Sequence, residues 1–541
     1  MTGYEDYSEN QAHQFLLMQK LHDPTLFPND TYVDTLDLYV SPVHELLSRM
    51  LSWFSIEVLA LLLYLASRIL VIFSAAWLAM TWANGSRFAA IMTAIFIAFD
   101  PLAILGDGTI LKAYGEHTSL FVGCFLLGST LLIRRHYALA ALLVSALFYI
   151  NILYGCYAVS YWGLVLLFHI RSGVDRKKLL LFLAAVAIAT APMFYRALQA
   201  RDGAECDAEF WRAVCRIRIP HHLFPLEWDW SVYVKFILFT LFVPLYIYRF
   251  KPHAYTAMNQ RNFIVWSLVG AGWLGAAFIA AYTLPQLRLL MLQPARATDL
   301  WYTLGAIGVI VVASGRWERV QNLTALLELG MVFLSLLLVF SSGDTRVLII
   351  AVIVCGAVVY FIGKSRFSSL KSNPWLPVQF AILVLVAVSA KAAIERKKDS
   401  ESGSHLTVGH SQSVLDLTAW IKNNTPKDAT FLTPPDMSPF RALTQRSSFV
   451  NWRDGSAVLW DCAYAAEWVE RVKALNFDPF TVTETGSHGR KMFDRSYDLL
   501  TEAHMLQLQE KYPIDYWIVR DAATTLPVVH TVDRYSVVEL P

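Results

Sequence analysis

Residues 56–82, which read IEVLALLLYLASRILVIFSAAWLAMTW, decide the fold class of this chain. A helix needs about 20 largely apolar residues to cross a bilayer, and this stretch is longer than that. The rest of the chain has a similar character, because 56% of its 541 residues are hydrophobic and only 16% are charged. Soluble domains carry roughly 25% charged residues. The sequence therefore predicts an α-helical polytopic membrane protein.

Apolar stretches of this kind recur as far as residue 393. There are about twelve of them, centred on residues 56–82, 88–105, 118–133, 137–150, 156–170, 178–195, 232–249, 263–282, 298–314, 322–341, 346–363 and 376–393. The sequence beyond them is ordinary water-soluble sequence. We therefore predict a transmembrane domain over residues 56–393, a polar linker over 394–410 and a soluble domain over 411–541.

The connections between these segments differ in charge. Cytoplasmic loops of membrane proteins collect Lys and Arg, and alternate connections here are basic, namely RRH (134–136), RSGVDRKK (171–178), RFKPHAYTAMNQR (249–261), GRWER (315–319) and KSRFSSLK (364–371). The outer face then receives residues 1–55, a large loop over 196–231 and the C-terminal domain. One basic stretch, IERKKDS (394–400), falls on that outer side and argues the other way.

The N-terminal segment, residues 1–55, is acidic and is predicted to be an outer-face loop. It holds eight acids against Lys20 and Arg49, and it contains no signal peptide that would export it. We therefore expect a further N-terminal membrane helix in the full protein, which would bring the total to about thirteen.

A first candidate site lies within YEDYSENQAHQ (4–14) and LHDPTLFPNDTYV (21–33). Carboxylates at a membrane surface can act as general bases or bind a divalent cation such as Mg²⁺ or Mn²⁺. The candidates are Asp6, Glu9 and Asp30, with His13 beside them. The same residues also fit a solvated acidic loop in which Asp caps a helix.

A second candidate site is RIRIPHHLFPLEW (216–228), at the end of the large outer loop. Arg218 is predicted at the bilayer surface, where a guanidinium binds lipid phosphate well. Pro220 favours an extended segment, so His221 and His222 should face opposite ways and not share one metal ion. One of them could orient a phosphate or shuttle a proton. The alternative is an interfacial belt anchored by the tryptophans that follow.

Two further residues are weaker candidates. Glu116 precedes a predicted helix in LGDGTILKAYGEHTSL (105–120), where a carboxylate is commonly a cap or a dipole partner. Arg296 lies at the outer end of a helix in LQPARATDLWY (292–302) and could simply reach the headgroups. Taken together, these stretches predict an outward-facing cavity lined with carboxylates, histidines and arginines, and ionisable residues in such places are functional candidates.

Two cysteines lie in the large outer loop, in ECDAEFWRAVC (205–215). If that face is oxidising, Cys206 and Cys215 could form a disulfide. Two free thiols are an equally good interpretation.

Other classes of protein find less support in the sequence. A net charge of +2 without a basic block gives no indication of nucleic acid binding. No Walker motif, GxSxG elbow or HExxH helix is present. No inverted repeat with paired broken helices, which would favour a transporter, is evident.

Four stretches carry a resemblance to a known family: SENQAH (8–13), RIPHHLFP (218–225), NNTPKDATFLTPP (423–435) and FRALTQRSSFVNWRD (440–454). With the acidic first loop, they resemble the GT-C class of membrane glycosyltransferases. The closer likeness is to a largely uncharacterised bacterial branch with a C-terminal soluble α/β module. It spans nearly the whole chain. Two departures are the absent first helix and the reversed order of the acidic pair Glu5–Asp6.

The resemblance implies a GT-C fold in a bacterial inner membrane, with the C-terminal domain in the periplasm. The implied reaction moves a sugar from a polyprenyl-phosphate donor to a glycan or lipid acceptor, in envelope or exopolysaccharide assembly. The implied residues are Asp6 or Glu9 as base or metal ligand, Asp30 or Glu116 as second carboxylate, and His13, Arg218, His221, His222 and Arg296 as phosphate or donor contacts. The alternatives are a non-catalytic component that binds lipid-linked glycans, and a transporter.

The C-terminal region is predicted to be a small α/β domain. Short strands are expected at ATFLTPP, SFVNW, DYWIVR and YSVVEL, and helices at VLDLTAWIKNN, CAYAAEWVERVKAL and YDLLTEAHMLQLQEKY. The stretch FRALTQRSSFVNWRD combines arginines with aromatic residues, so it could face a glycan or the cavity of the membrane domain, and a structural surface is at least as good an interpretation.

Overall fold

A computed structural model of the chain describes residues 10–38, 42–98, 114–171, 176–199, 207–283, 287–320, 411–481, 486–521 and 524–541, with a few single residues and short pieces between them. The predicted segments 346–363 and 376–393 and the linker 394–410 lie outside the described residues, as does most of 322–341. The twelve-helix count therefore remains a prediction.

The described chain is mostly helical. In chain order the helices are α1 (Asn10–His22), α2 (Thr31–Thr35), α3 (Pro42–Met50), α4 (Ile56–Trp82), α5 (Arg87–Ala98), α6 (Ser119–Ile133), α7 (Tyr137–Ile150), α8 (Ile152–Arg171), α9 (Arg176–Gln199), α10 (Ala208–Arg218), α11 (Pro220–Leu223), α12 (Trp230–Phe250), α13 (Gln260–Phe278), α14 (Leu287–Met291), α15 (Thr298–Val320), α16 (Gln412–Asn424), α17 (Phe440–Thr444), α18 (Cys462–Ala474), α19 (Gly486–Asp498) and α20 (Glu502–Lys511). The predicted N-terminal loop is thus largely helical.

The long apolar helices form a bundle. Within the described residues, five are long and apolar enough to cross a membrane: Ile56–Trp82, Arg176–Arg196, Trp230–Phe250, Gln260–Thr283 and Leu289–Val320. Shorter apolar helices are α5 to α8. Each of the first nine predicted segments coincides with one of these helices. The structure therefore agrees with a membrane protein built on apolar helices.

The helices of the bundle differ in how far their side chains are exposed. On α15, every residue from Thr298 to Gly315 is buried, whereas Ile69 on α4 and Ile188 on α9 are 67% and 75% exposed. Such exposed apolar side chains suit a lipid-facing surface. At Gly308, an added Cβ would lie 2.4 Å from Cε1 of Phe263, so glycine permits the close approach of α13 and α15.

Among the described residues, the basic connections near Arg134, Tyr255 and Glu318 lie toward one end of the bundle. Ser86 donates to Glu318 at 2.8 Å, and the hydroxyl of Tyr255 donates to the same carboxylate at 3.4 Å. The guanidinium of Arg134 lies 5.5 Å from the ring centre of Trp77, near the same end of α4. We call this the basic end. Alternating connections place α1 to α3 and α10 to α11 at the opposite end.

That opposite end carries a second unit, which we call the lobe: α1 to α3, α10, α11 and residues 411–541. Its core is separate from the bundle core and joins Phe15, Trp211, Phe224 and Trp468, among others. The lobe is also attached to the bundle, since Arg212 donates to the carbonyl of Ala281 at 2.6 Å. Residues far apart in sequence therefore share one hydrophobic core.

The C-terminal domain contains a mixed five-stranded sheet in the order β4-β3-β5-β7-β6. The strands of this sheet are β3 (Thr430–Leu432), β4 (Ser447–Ser448), β5 (Tyr516–Arg520), β6 (Val528–Val532) and β7 (Tyr535–Glu539). Two earlier strands in the membrane domain, β1 (Ala103–Ile104) and β2 (Gly108–Thr109), pair with each other. Strand β3 pairs in parallel with β4 and β5, and β7 runs antiparallel to β5 and β6.

The prediction of an α/β domain agrees with this structure, with two local corrections. Strand β6 and helix α19 were not predicted, and the single helix expected over YDLLTEAHMLQLQEKY is divided between α19 and α20. The break falls where Thr501 caps α20 by accepting the backbone N–H of His504.

Candidate functional site

Asp30 lies at the junction between the N-terminal segment and the C-terminal domain. Its carboxylate accepts the backbone N–H of Val33 at 3.2 Å and thereby caps α2. It also accepts Nε of Arg441 at 2.5 Å and the backbone N–H of Ser448 at 2.9 Å. The carboxylate is fully buried and engaged by three donors. Asp30 therefore joins the two segments, and its role as second carboxylate stays a prediction.

Arg441 joins Asp30 to a second buried acid. It binds both oxygens of Asp454, at 2.8 and 2.9 Å, and donates to the carbonyl of Ser448 at 2.9 Å. Burial alone would lower the pKa of Arg441, but Asp30 and Asp454 raise it well above its usual value, so the guanidinium stays charged. We call Asp30, Arg441 and Asp454 the ion cluster.

His13 on α1 lies close to this cluster. Its Nδ1 is 2.5 Å from the hydroxyl of Tyr32, a residue of α2. The guanidinium of Arg441 lies over the same tyrosine ring, 5.0 Å from its centre. The phenol is fully buried, whereas the imidazole is only partly buried. His13 therefore lies next to the ion cluster and is less buried than Tyr32.

Arg218, at the end of α10, reaches the same region. Its Nε donates to the carbonyl of Trp452 at 2.6 Å, and its guanidinium lies 5.5 Å from the centre of that indole. Trp452 begins a 3₁₀ helix (Trp452–Leu459) that carries Arg453 and Asp454. The structure adds to the prediction that the amphipathic α10 packs Arg218 against the C-terminal domain, and its place at the bilayer surface stays a prediction.

The charges of three arginines act on His13. Burial lowers the pKa of His13 well below its usual value, and the charges of Arg453, Arg218 and Arg441 lower it further. The imidazole is therefore neutral at physiological pH. We call His13 with Arg218, Arg441 and Arg453 the arginine site. Guanidinium groups are the side chains best suited to bind phosphate, so the chemistry of this site favours an anionic ligand.

The paired histidines lie just beyond Arg218. Pro220 is the first residue of α11, a position that proline favours. The predicted extended segment is therefore wrong. The ring centres of His221 and His222 lie 4.0 Å apart, so the two rings are neighbours and do not face opposite ways. His221 is exposed and His222 is partly buried.

Arg296 belongs to the same end of the bundle. Its turn, Pro294–Ala297, packs against α11. The guanidinium donates to Oε1 of Gln293 at 2.9 Å and lies 5.3 Å from the ring centre of Tyr154. The turn therefore brings Arg296 near the histidine pair, while the guanidinium itself contacts residues of the bundle. The role of Arg296 as a contact for the sugar donor stays a prediction.

Glu116 is buried beside α1. It accepts the hydroxyl of Thr118 at 2.5 Å and lies 3.4 Å from Nε2 of Gln14, which follows His13 in the chain. Next to it, His117 lies 4.4 Å from His44 between ring centres. Burial lowers the pKa of His44 to about 4 and keeps that of His117 well below its usual value. Of the two predicted carboxylates that the structure describes, Asp30 is held by an arginine, whereas Glu116 is held by Thr118 and Gln14.

Some predicted residues cannot be placed. Asp6 and Glu9, the expected base and metal ligands, lie outside the described residues, as does Cys206. Within the described part of the chain, no three metal-ligating side chains come together. A divalent cation therefore remains a prediction that rests on the sequence.

The predicted disulfide between Cys206 and Cys215 is wrong. Cys215 is a free thiol on the inner face of α10, fully buried in the core of the lobe. Burial raises the pKa of this thiol well above its usual value, which keeps it unreactive. The disulfide of this region instead involves Cys462, at the start of α18.

Tyr32, Arg441 and Asp454 were not predicted as site residues. The stretch FRALTQRSSFVNWRD contains two of them and was predicted to face a glycan or the cavity of the membrane domain, or to form a structural surface. In the structure it contacts the N-terminal segment. What sequence alone could not supply was the pairing of Asp30 with Arg441 across 411 positions. The sequence did indicate that α10 packs one face against a core, because the apolar residues Trp211, Val214 and Cys215 recur at helical spacing.

The comparisons with known proteins cover a small part of the chain. The sequence model of a family described as a domain of unknown function (DUF6798) matches residues 412–475. No curated protein sequence matches the chain. The matched residues include Arg441, Trp452, Arg453 and Asp454, and Trp211 Nε1 also donates to the carbonyl of Val458 within them, at 2.7 Å. The stretch similar to DUF6798 therefore contains the C-terminal part of the candidate site.

Proposed function

We propose that this chain is a membrane glycosyltransferase of GT-C type that moves a sugar from a polyprenyl-phosphate donor to a glycan or lipid acceptor. The observation that carries the proposal is the arginine site. It is assembled from α1, α10 and the C-terminal domain at the end of a bundle of apolar helices. A lipid-linked donor presents its phosphate at such an end, where cationic groups can stabilise the leaving phosphate.

The reaction also needs a base for the acceptor hydroxyl. Glu116 suits this role, because its carboxylate is held by Thr118 and Gln14 beside α1. Asp6 and Glu9 remain further candidates from sequence. The ion cluster has a supporting role, because it fixes α2 against the C-terminal domain and so places Tyr32 under the guanidinium of Arg441.

The bacterial periplasm suits the lobe. Disulfides persist in oxidising compartments, and Cys462 in the lobe is disulfide-bonded. The basic end of the bundle would then face the cytoplasm, in keeping with the distribution of Lys and Arg. This supports an inner-membrane protein whose C-terminal domain is periplasmic.

The test uses the full chain in proteoliposomes that contain polyprenyl-phosphate-linked sugars extracted from bacterial membranes. Mass spectrometry measures the release of free polyprenyl phosphate and the appearance of glycosylated product. We expect Glu116→Gln to lower turnover at least a hundredfold, in the range of general-base removal, while binding of the donor lipid is kept. The matched control is Glu45→Gln, an exposed carboxylate paired with Arg196 at the surface.

Turnover by Glu116→Gln at the wild-type rate would remove Glu116 from the mechanism. Donor binding by the wild-type protein without any turnover, in the presence of mixed bacterial glycan and lipid acceptors, would contradict the enzyme and favour a non-catalytic glycan-binding component.

A further inference from the structure

The hydrogen bond between His13 and Tyr32 determines which nitrogen of the imidazole carries the proton. The hydroxyl of Tyr32 is 2.5 Å from Nδ1 of His13. Tyr32 is fully buried, and Nδ1 is the acceptor that the described structure offers to its hydroxyl. A buried hydroxyl that donates to nothing costs about 1–3 kcal/mol. The phenol therefore donates, and Nδ1 accepts.

The protonation states agree with this direction. Burial raises the pKa of Tyr32 well above its usual value, and the nearby carboxylates of Asp454 and Asp30 raise it further, so the phenol keeps its proton. His13 is neutral, because burial and the charges of Arg453, Arg218 and Arg441 oppose its protonation. A neutral imidazole carries one proton. With Nδ1 accepting, that proton is on Nε2.

Nε2 of His13 has no hydrogen-bond partner among the described residues. His13 is only partly buried, unlike the fully buried Tyr32. Because the charges of Arg453, Arg218 and Arg441 act on this ring, an acceptor with negative charge suits its N–H.

We propose that His13 is a positioning residue whose Nε2–H donates to a phosphate oxygen, with Arg218 and Arg453 supplying the charge and Tyr32 fixing the tautomer. This deepens the proposed function and rests on it for the identity of the ligand as the phosphate of a polyprenyl carrier. It also means that His13 does not act as the general base, because its accessible nitrogen already bears a proton.

Binding is measured on the purified full chain in nanodiscs, with undecaprenyl phosphate in one series and inorganic phosphate in the other. We expect His13→Leu to weaken undecaprenyl phosphate binding about 10- to 100-fold, as for loss of a hydrogen bond to a charged group. His13→Gln places an amide N–H near the position of Nε2 and should recover most of the affinity. The matched control is His22→Leu, an exposed histidine on the same helix that should bind as the wild type does.

The two series separate the possible sources of phosphate. Binding of undecaprenyl phosphate at least tenfold tighter than inorganic phosphate supports a lipid-borne ligand, and equal affinities would overturn the carrier assignment. His13→Leu with wild-type affinity for both probes, or His13→Gln as weak as His13→Leu, would overturn the donor role. Binding that depends on His13 without any sugar transfer would leave this inference intact and contradict the proposed function.

A second measurement uses the wild-type protein, so it does not depend on the folding of a variant. Histidine-selective ¹⁵N labelling shows which nitrogen of each ring is protonated, and comparison with His13→Gln assigns the signal of His13. We expect the proton on Nε2 at neutral pH, and Tyr32→Phe to allow both tautomers. A proton on Nδ1 in the wild type would overturn the proposal.

Discussion

The bundle and the lobe are held together by different forces. In the bundle, α15 is enclosed by apolar side chains along its length, and glycine at position 308 allows α13 to approach it closely. In the lobe, buried charges of the ion cluster link segments that are more than 400 residues apart. Apolar packing tolerates many arrangements of similar volume, whereas a buried charge without its partner is costly. The lobe is therefore the region whose assembly depends most on single residues.

The largest effect is expected at the centre of the ion cluster. Arg441→Met leaves Asp30 and Asp454 buried without a counter-charge, so we expect the free energy of unfolding of the lobe to fall by about 3–5 kcal/mol. Denaturant unfolding, followed by the fluorescence of Trp452 and its neighbours, measures this change. Arg534→Met is the control, because its ion pair with Asp521 is exposed and should contribute at most about 1 kcal/mol. Similar losses for the two variants would show that charge does not hold the lobe together.

A smaller effect is expected where the lobe meets the bundle. Gly115 accepts Nε2 of Gln11 from α1, and a Cβ there would lie 2.0 Å from the carbonyl oxygen of Ala60 on α4. Gly115→Ala must displace backbone, so we expect a destabilisation of about 1–3 kcal/mol, measured as a lower midpoint of thermal unfolding. Gly272→Ala is the control, because an added Cβ there meets no atom within 4 Å. Equal midpoints for wild type and Gly115→Ala would mean that this junction is loosely packed.

The smallest effect concerns pH and lies in the C-terminal domain. Burial and the neighbouring Asp436 raise the pKa of Asp494 to about 6, although Arg520 lowers it. A carboxyl whose pKa is higher in the folded state stabilises the fold at low pH, and that contribution is lost as pH rises through about 6. Asp494→Asn should therefore equal the wild type near pH 4 and exceed it by up to about 1 kcal/mol at pH 8.

The free energy of unfolding measured from pH 4 to pH 8 tests this sign. Asp416→Asn, which removes an exposed carboxylate of α16, should leave the pH dependence unchanged. A variant Asp494→Asn that loses stability toward pH 8 would show that the carboxylate of Asp494 is favoured by Arg520 more than it is opposed by burial.

Much of the bundle could be predicted from the sequence, because a helix that crosses a bilayer must be apolar over its whole length. The helix α4 begins and ends where its apolar run does, and α12 begins at Trp230, close to the predicted start. The C-terminal domain was recognisable from residue 411 onward, because its sequence has no apolar run long enough to cross a bilayer. These features depend on local composition, which a single sequence records directly.

The candidate site could be predicted only in part. His13 and Arg218 were predicted as phosphate contacts, and the structure brings them to one region, although their role stays a prediction. The partner of Asp30 was missed, because Arg441 is 411 positions away and no local sequence pattern indicates such a pair. Pro220 was misjudged because proline suits both an extended segment and the first turn of a helix. In both cases the local sequence allows more than one structure, and contacts with distant residues determine which one forms.

The proposed function requires that α1, α10 and the segment that begins at Trp452 form one phosphate-binding site at the lobe end of the bundle. Photo-cross-linking tests it directly, with a polyprenyl phosphate that carries a diazirine on its first isoprene unit and the full chain in nanodiscs. We expect labelled peptides that contain His13, Arg218 and Arg453, and loss of the label when unmodified polyprenyl phosphate competes. Competable labelling confined to the basic end near Glu318, or to the lipid-facing side of α9, would contradict the account.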